Sequence, residues 1–400
     1  MSTTVAPLCP KFIPAEQSEI PLMSKPDGFK FRLISYNILA QAYAKGEQFP
    51  HSPSPCRKWK TRSQAILTLL KSLAADFFCL QEVDEYNSFY KGSMESNGYA
   101  SIYVQRSGKK PDGCGIFYKD ENAELILEEK IEYNDLVKSI QDGVVSSSGD
   151  DNAMFAGASK KLNLTSLQLN LTGKYLLSLW KIFSHFSFLS LFLSLIFAFM
   201  LISISKLLGL AKCMQTTSYY VLLMVYFFNN PLQLRWGKTL KAIVEVQMIL
   251  VDPNWADVKL AQAKYLLSRL AQFRALVSDK FECLPSVILA GDFNSTPGDK
   301  VYQYLVSGSS SMGLSAEGSE VLPMPLSSVY SVTRGEPTFT NCTPGFTGTL
   351  DYIFFAPCGD IKPVSFLELS GPESPDISGG LPNFHHPSDH LPIGAEFEFI

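Results

Sequence analysis

The chemistry this sequence can do is concentrated in a few short stretches. Gly291-Asp292-Phe293-Asn294-Ser295-Thr296-Pro297-Gly298 joins a carboxylate, which accepts a proton, to an amide, which donates to phosphate oxygens. That pair suits phosphodiester hydrolysis. Side chains two apart in an extended chain point the same way, so a strand here is expected to present Asp292 and Asn294 on one side. Pro297 and Gly298 then turn the chain. Ser388-Asp389-His390-Leu391-Pro392 sets an acid beside an imidazole, able either to orient it or to ligate a metal. It follows His385, His386 and Pro387 and reads as a loop at a pocket mouth. In Leu80-Gln81-Glu82-Val83-Asp84 a carboxylate ends an apolar run with no basic neighbour in sequence. A buried carboxylate wants a counter-charge, and magnesium, which prefers carboxylate oxygen, would supply it.

Those residues need elements to hold them. Residues 31–37 read as an apolar strand ending on polar residues, and 60–74 space Ile66, Leu69, Leu70 and Leu73 as a helix does. Residues 76–83 form a compact buried strand reaching Glu82, and 114–118 another. A long amphipathic helix is expected over 257–277, carrying Leu260, Tyr265, Leu266, Leu270 and Phe273. Residues 286–290, 349–355 and 393–399 are later strands. Asn37, Glu82, Asp292 and Asp351 end these strands or follow them at once. One such residue alone is an ordinary strand-end polar group; four at neighbouring strand ends build one pocket. Strands joined by helices along the length predict a layered α/β sandwich.

In chain order, Ser35-Tyr36-Asn37-Ile38-Leu39-Ala40, Leu80-Gln81-Glu82-Val83, Gly291-Asp292-Phe293-Asn294-Ser295, Thr349-Leu350-Asp351-Tyr352-Ile353-Phe354 and Ser388-Asp389-His390-Leu391-Pro392 together resemble the signature set of the endonuclease/exonuclease/phosphatase superfamily. The wording SYNILAQ, CLQEVD, KPDGCGIFYK, GDFNSTPG and PSDHLP is similar to its plant carbon-catabolite-repressor-type poly(A) deadenylases, across residues 29–140 and 252–400. The resemblance implies a four-layer α/β sandwich and a magnesium-dependent 3′–5′ exoribonuclease acting on poly(A) RNA in the cytoplasm or nucleus. It implies Glu82 as the principal magnesium ligand, with Asn37 completing the metal and phosphate environment. Asp292 would orient or activate the attacking water, and Asn294 would hold the scissile phosphate. His390 would stabilise charge developing on phosphate, oriented by Asp351 or Asp389. Phe346 and Pro253 match positions that sandwich a terminal base. A phosphatase or an abasic-site DNA endonuclease of the same superfamily would use the same metal and His–Asp chemistry.

The resemblance breaks over residues 155–250. Where the family carries an Asn-x-His strand, this chain has Val246 and Met248, and neither side chain donates a hydrogen bond. Residues 182–204 hold no Asp, Glu, Lys or Arg and are long enough to cross a bilayer; 219–228 is a second, shorter apolar run. A single span would strand Glu82 on the opposite side from Asp292 and His390, so a membrane role is not expected. The segment 155–250 is instead expected to be non-family sequence, such as a translated intron or a faulty gene model. It interrupts a catalytic domain over 29–400 that follows an irregular leader, 1–28. A catalytically dead or membrane-associated isoform is the rival reading. The net charge of −4 gives no global basic footprint, although a nuclease needs only a local positive groove. Eight scattered cysteines lack zinc spacing and suit a reducing compartment. No leucine-rich repeat precedes the first strand, so stand-alone action, or docking to a deadenylase complex by another surface, is expected.

Overall fold

Side-chain alternation decides which face each strand buries, and here the same strands feed two cores. The computed structural model describes residues 7–15, 28–108, 110–133, 219–227, 240–248, 256–310, 322–357 and 360–399. The chain divides into one unit of Met1–Glu132 with Thr217–Ile400 and another of Tyr133–Thr216, and every strand and helix named below belongs to the first.

Sheet A has seven strands, in the order β1 (Phe12–Pro14), β14 (Ile361–Leu367), β15 (Ile393–Phe399), β2 (Lys30–Asn37), β3 (Phe77–Gln81), β5 (Gly113–Lys119) and β4 (Tyr99–Gln105). Sheet B has six: β10 (Ser327–Ser328), β13 (Asp351–Phe355), β9 (Ser286–Asp292), β8 (Leu240–Met248), β7 (Tyr219–Phe227) and β6 (Ala123–Glu132). A small hairpin pairs β11 (Asn341–Thr343) with β12 (Phe346–Gly348). Most neighbours run antiparallel, while β2–β3 and β8–β9 are parallel.

In β2, Phe31 and Leu33 enter a core shared by both sheets, joined by Phe77, Cys79 and Ile116 of sheet A and Ala242, Val244, Ile288, Ala290, Ile353 and Phe355 of sheet B. The alternate residues Ile34, Tyr36, Phe78 and Leu80 face the other way, onto Ile66, Leu69, Leu70 and Leu73 of helix α1 (Trp59–Leu73). On the far side of sheet B, Tyr302 of helix α3 (Lys300–Ser310) packs its ring on Tyr352 and Phe354. The long helix α2 (Ala256–Phe281) lies against α3 and β7 and buries Leu266, Leu270, Phe273 and Val277. The layers therefore run helix, sheet, sheet, helix: the four-layer α/β sandwich.

Two features bear on the 155–250 segment. Residues 219–227 and 240–248 are strands of sheet B, paired with each other and with β6 and β9. The short apolar run at 219–228 is thus accounted for largely as a strand, which agrees with its length. Residues 182–204 lie outside the described residues; among those described, no helix is long and apolar enough to cross a membrane.

Candidate active site

The alternation that fills the inter-sheet core also points its last members into one place. Asn37 follows Phe31, Leu33 and Ser35 on that face of β2, and Asp292 follows Ile288 and Ala290 on β9. Asp351 precedes Ile353 and Phe355 on β13. Sequence reading placed Asp351 at a strand end, whereas it opens β13. Because β13 runs antiparallel to β9, its first residue pairs with the last of β9, and Asp351 stands in register with Asp292.

His390, from the loop before β15, closes this pair of acids. Its Nδ1 lies 2.7 Å from Asp351 Oδ2, and its Nε2 lies 3.9 Å from Asp292 Oδ2. Thr340 Oγ1 donates to the same Asp351 oxygen at 2.6 Å and accepts from the backbone N–H groups of Leu350 and Asp351. The histidine loop is tied down on both sides. Leu391 N donates to Thr340 O, His390 N to Ser388 Oγ, and Ser388 Oγ to Asn37 O at 2.7 Å. Burial opposes charge on His390, but the carboxylates around it, Asp351 first and then Asp292 and Asp389, together outweigh burial and hold the imidazole pKa well above its ordinary value. Burial first, and then Asp351, push Asp292 up to about 7, with His390 pulling it back.

Asn37 links a third carboxylate. Its Nδ2 donates to Glu82 Oε1 at 3.2 Å and to Asp292 Oδ2 at 3.1 Å, while its Oδ1 accepts from Leu39 N. Glu82 Oε2 accepts from Ala40 N at 3.0 Å. Glu82 sits just past β3 at φ 55°, and burial, followed by the field of Asp389, raises its pKa. Asn37 therefore serves as a bridging donor between two carboxylates, with its own oxygen already engaged. Glu82 offers oxygen in the chemistry that hard divalent cations prefer. Asp292, Asp351 and His390 also form a buried group whose ligand atoms lie within 4.8 Å of one another, able to hold a metal. In that group Asp351 Oδ2 already serves His390 and Thr340, and its Oδ1 is buried without a hydrogen-bond partner.

The other expected residues fall less uniformly. β9 ends at Asp292, and Asn294 adopts φ 45°, so strand alternation does not extend to it as the sequence suggested. Asn294 is held through its backbone, its N–H donating to Asp292 Oδ1 and its carbonyl accepting from Lys259 Nζ at 2.6 Å. Asp389 accepts from Asn341 Nδ2 at 3.3 Å and interacts with Ser388, so of the two acids considered as orienters, Asp351 is the one on the imidazole. Phe346 is 42% exposed on the hairpin whose Asn341 bridges to His390. Pro253 lies outside the described residues. In β8 the register sets Val246 beside Ala290 and Met248 beside Asp292. Sequence reading missed Thr340, Lys259 and Arg62 as members of this neighbourhood.

A model of the Endonuclease/Exonuclease/phosphatase family matches residues 34–390. Carbon catabolite repressor protein 4 homolog 4 of Arabidopsis thaliana is 52% identical over 373 residues, spanning 93% of this chain and 78% of that protein. The CCR4-Not complex 3′-5′-exoribonuclease subunit Ccr4 of Schizosaccharomyces pombe is 26% identical; the match covers 92% of this chain and 49% of that protein, about half its length. Among solved structures, ANGEL2, a 2′,3′-cyclic phosphatase, in complex with adenosine-2′,3′-vanadate, has a TM-score of 0.62 at 22% identity, covering 94% of this chain and 97% of its own. That likeness concerns the fold.

Proposed function

Since the chain belongs to the endonuclease/exonuclease/phosphatase family, we propose that it is a magnesium-dependent 3′–5′ exoribonuclease that shortens poly(A) tails. The observation that carries the reaction class is the line of half-buried Glu82 and buried Asn37, Asp292, His390 and Asp351, joined at 3.2, 3.1, 3.9 and 2.7 Å. The substrate class rests on the 52% identity to the Arabidopsis homologue and the similarity to the exoribonuclease subunit.

Asp292, with a pKa near 7, is matched to accepting a proton from water close to neutral pH. His390, kept charged by Asp351, stabilises negative charge developing on the phosphate. Asn37 holds Glu82 and Asp292 at a fixed separation, and Asn294 orients the scissile phosphate. Glu82, with Asn37 beside it, would hold the magnesium ion, which when bound polarises phosphate oxygens and stabilises the leaving oxygen. Phe346, together with Pro253, stacks the terminal base. The RNA would be met in the cytoplasm or nucleus, where this chain would act alone or within a deadenylase complex.

The register of Met248 beside Asp292 favours a second reading, in which this chain is an impaired member of the family. Residues 155–250 would then be of non-family origin, which sequencing of the mature transcript across those codons tests. Activity is tested with purified chain, magnesium and a 5′-labelled RNA ending in adenines, beside Glu82→Ala. Shortening that requires Glu82 and prefers adenine supports the proposal. Well-folded protein that leaves the tail intact overturns it in favour of the impaired reading.

A further inference from the structure

The apolar stripe that seats α1 on sheet A, Leu73, Leu70, Leu69 and Ile66, extends one turn back to Arg62. That guanidinium is 1% exposed and meets no carboxylate at hydrogen-bond distance among the described residues. Its partners are neutral: Nε donates to Pro387 O at 2.7 Å, Nη1 to Gln41 Oε1 at 3.0 Å, and Nη2 to Ile38 O at 2.6 Å and to Leu39 O. Burying a cation without a directly paired anion is unfavourable, and an apolar residue would complete the stripe at lower cost. The placement of the acceptors accounts for the choice. Ile38 and Leu39 follow Asn37 immediately, and Pro387 immediately precedes Ser388-Asp389-His390.

We propose that Arg62 is a positioning residue for the reaction, a fork that clamps the loop after Asn37 to the loop before His390. The Asn37 and His390 halves of the site come from strands far apart in the chain. The strands behind them, β2 and β15, pair in sheet A as far as Ser35 and Ile393, and beyond that pairing Ser388 Oγ donates to Asn37 O. A planar guanidinium reaches three backbone carbonyls and one side chain in fixed directions, which a lysine ammonium on the same stem does not reproduce. As a claim about catalysis, this rests on the phosphodiester-cleaving reading above; as a claim about loop geometry, it stands apart from it.

Full-length Arg62→Met and Arg62→Lys are compared with wild type by trimming kinetics on adenine-tailed RNA with magnesium, and by hydrogen–deuterium exchange. Both variants are expected to lose about 100-fold in kcat with KM changed by less than about threefold, the pattern of misplaced groups. Exchange rises in peptides covering 37–41 and 385–391 and stays at the wild-type level in 77–81 and 286–291. If Arg62→Met does not fold, Arg62→Lys decides alone. Undiminished kcat in Arg62→Lys, or exchange raised evenly through both sheets, overturns the proposal and leaves Arg62 a stability residue. Wild type that trims nothing while the variants loosen only the two loops overturns the functional reading and supports the clamp.

Discussion

Asp292 lies buried and in register with Asp351 across an antiparallel strand pair, and burial followed by that neighbour's field holds its carboxyl above the usual acid range, with the His390 imidazole moderating the shift. The sign of the pH effect follows. Asp292 has a folded pKa of about 7 against an ordinary 3.8. The folded state therefore keeps a proton that the unfolded chain has released, and stability falls as pH rises from about 4 to about 7. Asp292→Asn is expected to flatten that slope in chelator-treated protein, measured by denaturant unfolding across the window; an unchanged slope would place the titration elsewhere. His390 acts in the same direction, its raised pKa contributing stability that is complete below the unfolded value and lost as pH rises through the folded one. In catalysis, His390→Ala should cost roughly 10²–10⁴ in kcat at unchanged far-ultraviolet dichroism. Asp389→Asn should cost far less, since Asp389 does not touch the ring. Phe346, exposed on its hairpin, should behave as a binding residue: Phe346→Ala weakens adenine-tail binding by about 1–3 kcal/mol without lowering the melting temperature.

At the scale of elements, β8 and α1 make separate demands. The register of β8 puts Met248 beside Asp292 and Val246 beside Ala290, and on the proposed reading these are the positions of the family's His and Asn. The double substitution Val246→Asn with Met248→His should raise trimming activity, read at saturating RNA; no gain would show that the strand is not what limits this chain. On α1, Leu70 is buried in the helix–sheet core, and Leu70→Ala should destabilise by about 2–5 kcal/mol, seen in the denaturation midpoint. The elements legible in the sequence were those with clean periodicity: α1, α2, β2, β3, β5, β9, β13 and β15. The strands that escaped notice had physical reasons to do so. β14 contains Pro363 beside a register irregularity, which breaks the alternation of a strand. β6 is rich in Glu and Lys, residues that favour helices. Glu82 and Asp292 were visible because each closes an apolar run. Arg62 was not, because a lone charge at a helix start reads as a solvated residue until its burial is known. The φ of 45° at Asn294 had no signal in a sequence whose alternation simply seemed to continue.

For the whole molecule, the order of strands in space departs from their order in the chain. β15, the last strand, is an interior strand of sheet A, between β14 and β2. The loop that carries His390 arrives only just before it. A growing polypeptide can lay β2 beside β3 early, but the slot next to β2 stays open until β15 has been made. The assembly of the site is thereby tied to the synthesis of His390 and β15. A ribosome that has not yet reached His390 holds a chain with Asn37 and Glu82 but without the imidazole between Asp292 and Asp351. If adenine tails are what this protein cuts, a nascent chain short of His390 is harmless to the very message it is being read from.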